Sequence, residues 1–343
     1  MAIEIRSVGP MATIQDRGRR GYGSKGYREC GACDKYAMEL ANLLAWNLDE
    51  KDNSAVLELT LFGGSFCFTE ETLIALTGAD MSPKLDGRAV SMYETIFVKP
   101  GQVLELGAAG KGLRTYLAVN GGLQVPEVMG SRSTDTACHL GGLEGRTLQA
   151  GDRIAYASDL RSWKKRKRDF VFTEELFWAK NASFRYRSMG TELIPVLRIV
   201  PGPQDEAFTE EAFGVLKRSL YEIGADSNRM ACRLSGPVLE AVKGYDIVSD
   251  GIVEGSVQVS ANGQPIVMLA DHQTTGGYAK IGTAVSTDLS AIAQRRPGEK
   301  IGFLLVTPEE AGEAFRLEAR KLAWIRKNIL TGGKADDFSR FKL

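Results

Sequence analysis

Short strand-like runs, each closed by a glycine turn, limit what this chain can fold into. Six of them fall between residues 55 and 118, at 55–60, 65–68, 72–76, 91–98, 103–106 and 114–118. Glycine accepts the positive φ that tight turns need, and it supplies 38 of the 343 residues. Runs of this number and length are typical of an all-β barrel or sandwich. The sequence therefore predicts a mainly β protein.

A repeated pattern of turn, polar residue and strand indicates two related β units. It occurs at 100–104, 150–154 and 297–301, so both halves of the chain carry it. The basic run WKKRKRD lies between the halves, and we interpret it as a solvated linker rather than a nucleic-acid patch, because basic and acidic residues both number 43. The predicted parts are an N-terminal β domain at 1–160, a basic connecting segment at 161–194, a C-terminal β domain at 195–306, and a helix with a tail at 307–343.

Two helices are predicted from their caps and apolar periods. Asp34 can cap a helix that reaches Asn47. The last helix starts after Thr307, which forms a capping box with Glu310. Its predicted apolar stripe consists of Ala311, Ala314, Phe315, Leu322, Ile325 and Ile329.

Cysteine use and hydropathy predict a cytoplasmic protein. Five cysteines in a long chain fit reduced thiols better than a disulfide framework. Cys30 and Cys33 form a C-x-x-C, but no second pair is spaced to complete a zinc site, so no metal site is predicted. Neither a signal peptide nor an apolar run of about 18 residues is present, so no membrane partner is expected.

The stretch 249–282, SDGIVEGSVQVSANGQPIVMLADHQTTGGYAKIG, is where we expect the functional site. If Asn262-Gly263 forms a two-residue type I′ turn, the apolar residues that pair across the hairpin are Val257 with Met268 and Val259 with Ile266. The polar row on the opposite face, directed away from the core, is then Ser256, Gln258 and Ser260. Five polar side chains follow at 271–275, before Gly276-Gly277, where bare backbone can approach a ligand. Lys280 lies outside any P-loop pattern and predicts no phosphate cradle.

Other polar clusters lie on predicted loops or strand ends, at 15–22, 77–80, 130–135, 202–204 and 227–229. These clusters supply acidic side chains, amides, and arginines suited to binding carboxylates, but no histidine base accompanies them. Ser131 and Ser133 lie near His139 in sequence. No nucleophile elbow surrounds them, so a serine hydrolase is not favoured.

Ordered sequence blocks carry a resemblance to a known family. They read TIQDRGRRGYGSKG, ANLLAWN, LTGAD, LAVNGGL, VPEVMGSRSTD, GGLEGRTLQAGD, RIVPGPQ, SNRMACRL, VEGSVQVSANGQPIVMLADHQTTGGYAKIG and QRRPGEKIGF. With these blocks the chain resembles the C subunit of bacterial 5-oxoprolinase, a family also called PxpC, KipA or allophanate hydrolase subunit 2-like. That family is similar to part of the carboxyltransferase region of biotin-dependent urea carboxylase.

The resemblance implies tandem cyclophilin-like β-barrel domains with a few helices and a C-terminal helix. It also implies a complex with the KipI-like B subunit and the A subunit of 5-oxoprolinase, in which 5-oxoproline (pyroglutamate) is cleaved to glutamate at the expense of ATP. A lactam is a poor electrophile, and phosphorylation of its oxygen gives a leaving group that water can exploit. ATP and Mg²⁺ are thus expected at the level of the complex. This chain is expected to be inactive alone and to carry no covalently bound biotin.

Matching motif positions, together with the two glycines, give the candidate site residues. The candidate catalytic residues are Asp80, Arg132 and Asp271. The candidate substrate-binding residues are Asp16, Arg19, Tyr22, Ser131, Ser133, Gln204, Ser227, Arg229, Glu254, Gln258, Thr274, Thr275, Gly276, Gly277 and Tyr278. Arg19, Arg132 or Arg229 would hold the substrate carboxylate, and Asp80 or Asp271 would order water or a metal-bound phosphate. We expect loops from both halves to converge in a shared cleft.

Two other functions stay open. A biotin-dependent carboxyltransferase would receive its carboxyl group from biotin on another chain, because no lysine here lies in a Met-Lys-Met setting. A non-catalytic regulator would bind a KipI-like kinase inhibitor.

Overall fold

The computed structural model describes residues 1–166, 185–189 and 192–331. The chain divides into two compact units. Unit 1 comprises Met1–Arg20, Cys30–Asn181 and Arg320–Leu343, and unit 2 comprises Gly21–Glu29 and Ala182–Ala319. Much of the predicted connecting segment at 161–194, and the predicted tail after residue 331, lie outside the described residues.

Unit 1 consists of two β-sheets. Its strands are β1 (Ala2–Val8), β2 (Ala12–Gln15), β3 (Val56–Thr60), β4 (Phe62–Phe68), β5 (Thr72–Asp80), β6 (Lys84–Leu85), β7 (Arg88–Ala89), β8 (Ile96–Val98), β9 (Val103–Ala108), β10 (Lys111–Val119), β11 (Leu123–Gln124) and β12 (Arg153–Tyr156). One sheet has the order β11-β12-β1-β4-β9-β6-β7, and the other has the order β2-β3-β10-β5-β8.

Side-chain alternation builds the core of unit 1 from both sheets. In β1, Ile3 and Ile5 are buried while Glu4 is exposed, as the strand period of two requires. The two isoleucines belong to one apolar cluster with residues of the second sheet, such as Leu57 and Leu117. Each sheet therefore contributes one face to a shared apolar interior.

Helix α1 (Lys35–Leu44) covers the other face of the five-stranded sheet. Asp34 accepts the N–H of Ala37 at 2.9 Å, which confirms the predicted cap. Tyr36 and Leu40 pack in one cluster with apolar residues of β3, β5 and β10. Strand β5 is consequently buried along all but its last residue, which explains its continuous apolar run.

Helix α2 (Arg161–Arg166) contains the start of the basic run. The ring of Trp163 stacks on Phe97 with centroids 5.2 Å apart. The interpretation of this run as a solvated linker is therefore wrong for its first residues, because an aromatic contact attaches them to unit 1. Residues 167–169 of the run lie outside the described ranges.

Unit 2 contains a closed seven-stranded barrel. Its strands are β13 (Arg185–Met189), β14 (Glu192–Pro201), β15 (Leu220–Ile223), β16 (Ala231–Ser235), β17 (Asp246–Gly251), β18 (Ser256–Val259), β19 (Pro265–Met268), β20 (Thr275–Tyr278), β21 (Lys280–Ala284) and β22 (Lys300–Leu305). The ring order is β14-β21-β18-β19-β16-β15-β22, and parallel pairing of β22 with β14 closes it. Strand β13 pairs antiparallel with β14 outside the ring, while β17 and β20 form a separate two-stranded ribbon.

Three further helices follow the barrel strands, α3 (Glu210–Arg218), α4 (Leu289–Ala293) and α5 (Pro308–Thr331). At the start of α5, Thr307 N–H donates to Glu310 at 2.8 Å and Glu310 N–H donates to Thr307 at 3.3 Å, so the predicted capping box is confirmed. Ile325 and Ile329 are buried as predicted. The stripe prediction is wrong for Phe315, which is 60% exposed because it lies about 100° round the helix from buried Ala314.

The predicted mainly β fold, with barrel architecture and a C-terminal helix, is confirmed. The barrel is closed by hydrogen bonding in unit 2. In unit 1 the strands form two facing sheets.

Candidate functional site

The hairpin that was expected to hold the site has a longer turn than predicted. Ser260 N–H donates to Gln264 at 3.1 Å, and Gly263 N–H donates to Ser260 at 2.8 Å. Gly263 has a φ of 74°, and no positive φ occurs at Asn262. A three-residue loop needs one positive φ where a type I′ turn needs two, so the type I′ prediction is wrong.

The longer turn shifts the register by one residue. Val257 pairs with Val267, and Gln258 pairs with Ile266. The valines therefore lie in the barrel core, whereas Ile266 belongs to a small separate cluster with Ile252. A one-residue slip exchanges the faces of a strand, which is why the predicted pairing of Val257 with Met268 is wrong.

The polar row of this hairpin is buried rather than directed away from the protein. Ser256 is 1% and Gln258 is 3% exposed. Gln258 Nε2 donates to the carbonyl of Tyr278 at 3.2 Å. The polar row thus faces away from the barrel core, as predicted, but the ribbon strand β20 covers it, so it is not exposed to solvent.

A buried lysine lies at the centre of the polar groups in unit 2. Lys280 is 2% exposed, and its Nζ donates to Asp250 Oδ2 at 2.7 Å and to the Gly251 carbonyl at 3.0 Å. Gln204 Nε2 donates to the same Asp250 oxygen at 3.1 Å, and Gln204 Oε1 accepts the Lys280 N–H at 3.2 Å. We call Gln204, Asp250, Gln258 and Lys280 the lysine cluster.

The electrostatics of the lysine cluster favour an ionised carboxylate at its surface. The hydrogen bond from the Lys280 ammonium, assisted by the Gly251 N–H and Gln204, lowers the pKa of Asp250 below its usual value. The Asp250 side chain is 51% exposed while the lysine is buried. The pair thus presents a carboxylate of fixed charge to solvent, above a buried ammonium.

Strand pairing explains why Gly276 stands beside this cluster. Gly276 pairs with Asp250 across the ribbon. A Cβ there would lie 2.8 Å from Gln258 Nε2 and 2.5 Å from Ile252 Cδ1, closer than real contacts allow. The absence of a side chain at this position therefore permits the close approach, as the sequence suggested for the Gly-Gly pair.

Sequence reasoning found part of the lysine cluster and missed the rest. It named Gln204 and Gln258 but not Asp250, and it set Lys280 aside because no P-loop surrounds it. Lysine rarely becomes fully buried unless it is paired. The signal in the sequence that this lysine is buried was its apolar neighbours, Ala279 and Ile281. The structure buries both of them completely, at 0% exposure.

Arg229 and Asp271 form a two-pronged ion pair elsewhere in unit 2. Arg229 Nε and Nη2 donate to the two carboxylate oxygens of Asp271, each at 2.8 Å. The side chains are 7% and 15% exposed. Each group neutralises the other, so a substrate carboxylate would have to displace Asp271 to reach Arg229.

The other candidates in unit 2 occupy loop and ribbon positions. Ser227 Oγ accepts the N–H of Arg233 at 3.1 Å, and the Thr274 carbonyl accepts the N–H of Ile252 at 3.0 Å. Thr275 is exposed, Tyr278 is 36% exposed, and the remaining three are partly buried: Tyr22, Glu254 and Gly277.

In unit 1, Asp16 joins loops that are more than 100 residues apart. Its side chain is 0% exposed and accepts five hydrogen bonds. Oδ1 accepts from the hydroxyls of Ser131 and Ser133 and from the Gly18 N–H, and Oδ2 accepts from Asn53 Nδ2 at 2.8 Å and from the Arg132 N–H at 2.6 Å. The structure thus brings together four predicted residues, Asp16, Ser131, Arg132 and Ser133, and Asn53 is the side chain that sequence reasoning missed.

Asp80 lies apart from this aspartate centre. It ends β5, and its Oδ1 accepts the Ser82 N–H at 2.7 Å. Strand register places Ala75 of β5 level with Gln15, the neighbour of Asp16. Gln15 pairs with Val56, the β3–β10 register brings Val56 level with Ala118, and Ala118 pairs with Ala75. Asp80 is five residues further along β5, about 16 Å at 3.3 Å per residue. The grouping of Asp80 with the unit 1 arginines is therefore wrong, and convergence of the two units stays a prediction.

A second buried carboxylate, that of Glu58, accepts the backbone N–H of one cysteine of the C-x-x-C. Glu58 Oε2 accepts the Tyr116 hydroxyl and the Cys33 N–H, each at 2.9 Å. Burial, reinforced by the Glu58 charge, raises the pKa of Tyr116 well above its usual value. Cys30 and Cys33 are both buried and form no disulfide.

The described ranges contain neither a cluster of metal ligands nor a helix suited to a membrane. No group of three or more histidine, cysteine, aspartate or glutamate residues there is arranged to hold a metal ion. No helix in the same part of the chain is both long enough and apolar enough to span a membrane.

Two bacterial relatives match this chain along nearly their whole length. The Escherichia coli 5-oxoprolinase C subunit is 37% identical over 94% of this chain and 98% of its own. Its Haemophilus influenzae counterpart is 36% identical over 95% and 98%. The Saccharomyces cerevisiae urea amidolyase is 27% identical over 90% of this chain but only 17% of its own length.

Solved structures agree with the sequence comparison. The Kluyveromyces lactis urea carboxylase matches with a TM-score of 0.78 and 25% identity, over 94% of this chain and 29% of that one. TTHA0988 matches with a TM-score of 0.73 and 28% identity, over 88% and 56%. The family model described as carboxyltransferase domain, subdomain A and B, matches residues 25–305. The resemblance read from the sequence blocks is confirmed, and this chain belongs to the carboxyltransferase subdomain A and B family, alongside the 5-oxoprolinase C subunits.

Proposed function

We propose that this chain is the C subunit of an ATP-dependent 5-oxoprolinase and acts with the A and B subunits to convert 5-oxoproline to glutamate. The observation that carries the proposal is the 37% identity to the E. coli relative over 98% of that protein's length. The urea amidolyase match is weaker, at 27%, and concerns only a part of a much longer chain.

In this proposal the lysine cluster polarises the amide of the substrate. Breaking a lactam requires negative charge to develop on its carbonyl oxygen, and fixed N–H donors in a partly dry site stabilise that charge. Lys280 has three N–H bonds, of which Asp250 and Gly251 accept two. The third N–H, with the carboxamide of Gln258, would hold the oxygen. Asp250 and Gln204 would fix the ammonium in place.

Asp271 takes a supporting role. Its bidentate bond to Arg229 joins the end of β19 to the loop before β16, next to the ribbon strand β20. We propose that this pair positions the ribbon rather than ordering water.

The ATP and Mg²⁺ of the proposed reaction fit another component of the complex better than this chain. The sequence contains no P-loop, and the described residues offer no set of three clustered metal ligands. ATP would supply the phosphoryl group that activates the lactam oxygen. The contribution of this chain would be to bind and orient the amide.

The test is reconstitution with the other two components. We would mix the purified chain with the A and B subunits, Mg-ATP and 5-oxoproline, and measure glutamate. Lys280→Met should lower turnover by about 100-fold or more, the cost of losing one oxyanion donor. Lys243→Met, at an exposed position, is the matched control and should retain wild-type turnover. Absence of ATP-dependent glutamate from the wild-type mixture would refute the function, whereas full activity of folded Lys280→Met would refute only the site.

Carboxyl transfer is the second candidate, and the family description and the urea carboxylase structure favour it. Here the same lysine cluster would stabilise the enolate-like oxygen of biotin or of the carboxyl acceptor. The reconstituted mixture should then move carboxyl from a biotinylated carrier protein to urea without producing glutamate from 5-oxoproline.

A further inference from the structure

The Arg19 guanidinium binds one turn of unit 1 and Arg132 is a residue of that turn, and each guanidinium has an N–H that no described residue accepts. The turn spans residues 128–133. It is closed by hydrogen bonds between Val128 and Ser131 at 2.8 and 3.3 Å, and Met129 and Gly130 both have positive φ. We call these six residues the arginine turn, because Arg19 binds to it and Arg132 belongs to it.

Arg19 is a buried charge whose plane is fixed by the backbone. It is 1% exposed, Nε donates to the Val128 carbonyl at 3.1 Å, and Nη2 donates to the Ser133 carbonyl at 2.8 Å. Nη1 is buried without an acceptor, and no carboxylate of the described chain lies within ion-pair distance. Gly141 lies against Nη2, where a Cβ would approach to 2.8 Å.

Arg132 supplies the second N–H, on a side chain that is partly exposed to solvent. Its Nη1 contacts Glu127 at 2.9 Å and the Asn53 carbonyl at 3.4 Å, while its Nε is buried and has no partner among the described residues. The side chain is 20% exposed. The nearby Asp16 carboxylate cannot serve either guanidinium, because its five hydrogen bonds come from other groups, including the backbone N–H of Arg132.

From this geometry we infer that the arginine turn is a binding site for a small oxyanion. A buried guanidinium without a counter-charge is destabilising, and a guanidinium N–H left without an acceptor adds to that cost. The oxygens of a carboxylate or phosphate would supply the acceptors that Arg19 Nη1 and Arg132 Nε lack, and arginine is the side chain best suited to that recognition. Assigning the carboxylate of 5-oxoproline as the occupant rests on the proposed function; the oxyanion chemistry does not.

The test measures ligand binding to the purified full chain by calorimetry and thermal shift at constant ionic strength. The ligands are 5-oxoproline, inorganic phosphate, chloride, and 2-pyrrolidinone, which is 5-oxoproline without its carboxylate. We expect 5-oxoproline to bind and 2-pyrrolidinone and chloride not to bind. If phosphate binds instead with the same dependence on the arginines, the site is confirmed and its ligand is a phosphate.

Variants separate this site from general electrostatics. Arg19→Gln and Arg132→Gln should each weaken binding by about 10- to 100-fold, the effect of one charge-assisted hydrogen bond. Arg153→Gln, at a side chain 65% exposed on β12, is the matched control and should bind normally. Should Arg19→Gln not fold, the partly exposed Arg132→Gln decides the question. Unchanged binding in the folded variants, or no preference over chloride, would overturn the inference. Glutamate formation by the reconstituted complex is a separate readout that judges the proposed function independently.

Discussion

Replacing Asp16 by asparagine should destabilise unit 1 far more than its single-atom change suggests. The carboxylate accepts three hydrogen bonds at Oδ1 and two at Oδ2. A carboxamide keeps one oxygen, so its NH₂ group would face two N–H donors, those of Asn53 and Arg132. Hydrogen bonds to charged groups contribute about 1.5–3 kcal/mol each, which gives a loss of about 3–6 kcal/mol. That is a large share of the roughly 5–15 kcal/mol that stabilises a typical domain.

Urea unfolding followed by tryptophan fluorescence measures this loss. The three tryptophans that the structure describes, Trp46, Trp163 and Trp324, belong to unit 1, so their signal reports that unit. Asp80→Asn is the control, because Asp80 is partly exposed and Asn can accept the same Ser82 N–H at the turn. Its free energy of unfolding should change by less than about 1 kcal/mol. If Asp16→Asn also stays within about 1 kcal/mol of wild type, Asp16 does not anchor these loops as argued.

Three further predictions concern unit 2. Gly276→Ala should cost about 1–3 kcal/mol of unfolding free energy and reduce turnover, since its Cβ would lie 2.5 Å from the nearest side-chain carbon, whereas Gly277→Ala, with 3.6 Å of clearance, should change neither. Lys280→Met should raise the pKa of Asp250 towards its usual value, measured by carboxyl NMR titration, because the ammonium is the main cause of its depression; an unchanged pKa would contradict the pairing. Burial raises the pKa of Tyr221 to about 12, so the stability that this group contributes is complete below pH 10 and is lost as the pH rises from 10 to 12, where the unfolded chain ionises first. Tyr221→Phe should therefore show a shallower loss of unfolding free energy over that range than wild type, and equal slopes would refute the assignment.

Local patterns predicted those parts of the fold that local interactions determine. The caps at Asp34 and Thr307 need only a side chain and the next turn of backbone, and both occur. The hairpin register failed because it depended on which φ values the turn adopts, and the sequence Asn-Gly permits both types. The predicted burial of Phe315 is wrong because the buried face of a helix depends on which elements pack against it.

The site was predictable in its composition but not in its grouping. Asp16, Ser131 and Ser133 were chosen separately, and only tertiary pairing shows that two hydroxyls converge on one carboxylate. Asp80 looked equivalent in sequence, yet sheet register places it several residues along the strand from that centre. Lys280 was missed because the counter-charge that permits its burial lies 30 residues earlier in the chain.

The path of the chain through helix α5 has a consequence for folding during translation. Unit 1 needs Ile325 and Ile329 to complete the apolar cluster around helix α1, but these residues are made after the intervening stretch Ala182–Ala319 of unit 2. At roughly 5–20 residues per second, a ribosome needs about 7–28 s to make those 138 residues. Throughout that interval the apolar residues of nascent unit 1 that Ile325 and Ile329 will contact stay exposed to solvent. Chaperone occupancy on ribosome-bound chains should accordingly persist until helix α5 has emerged from the ribosome and then fall, once Ile325 and Ile329 can join that cluster.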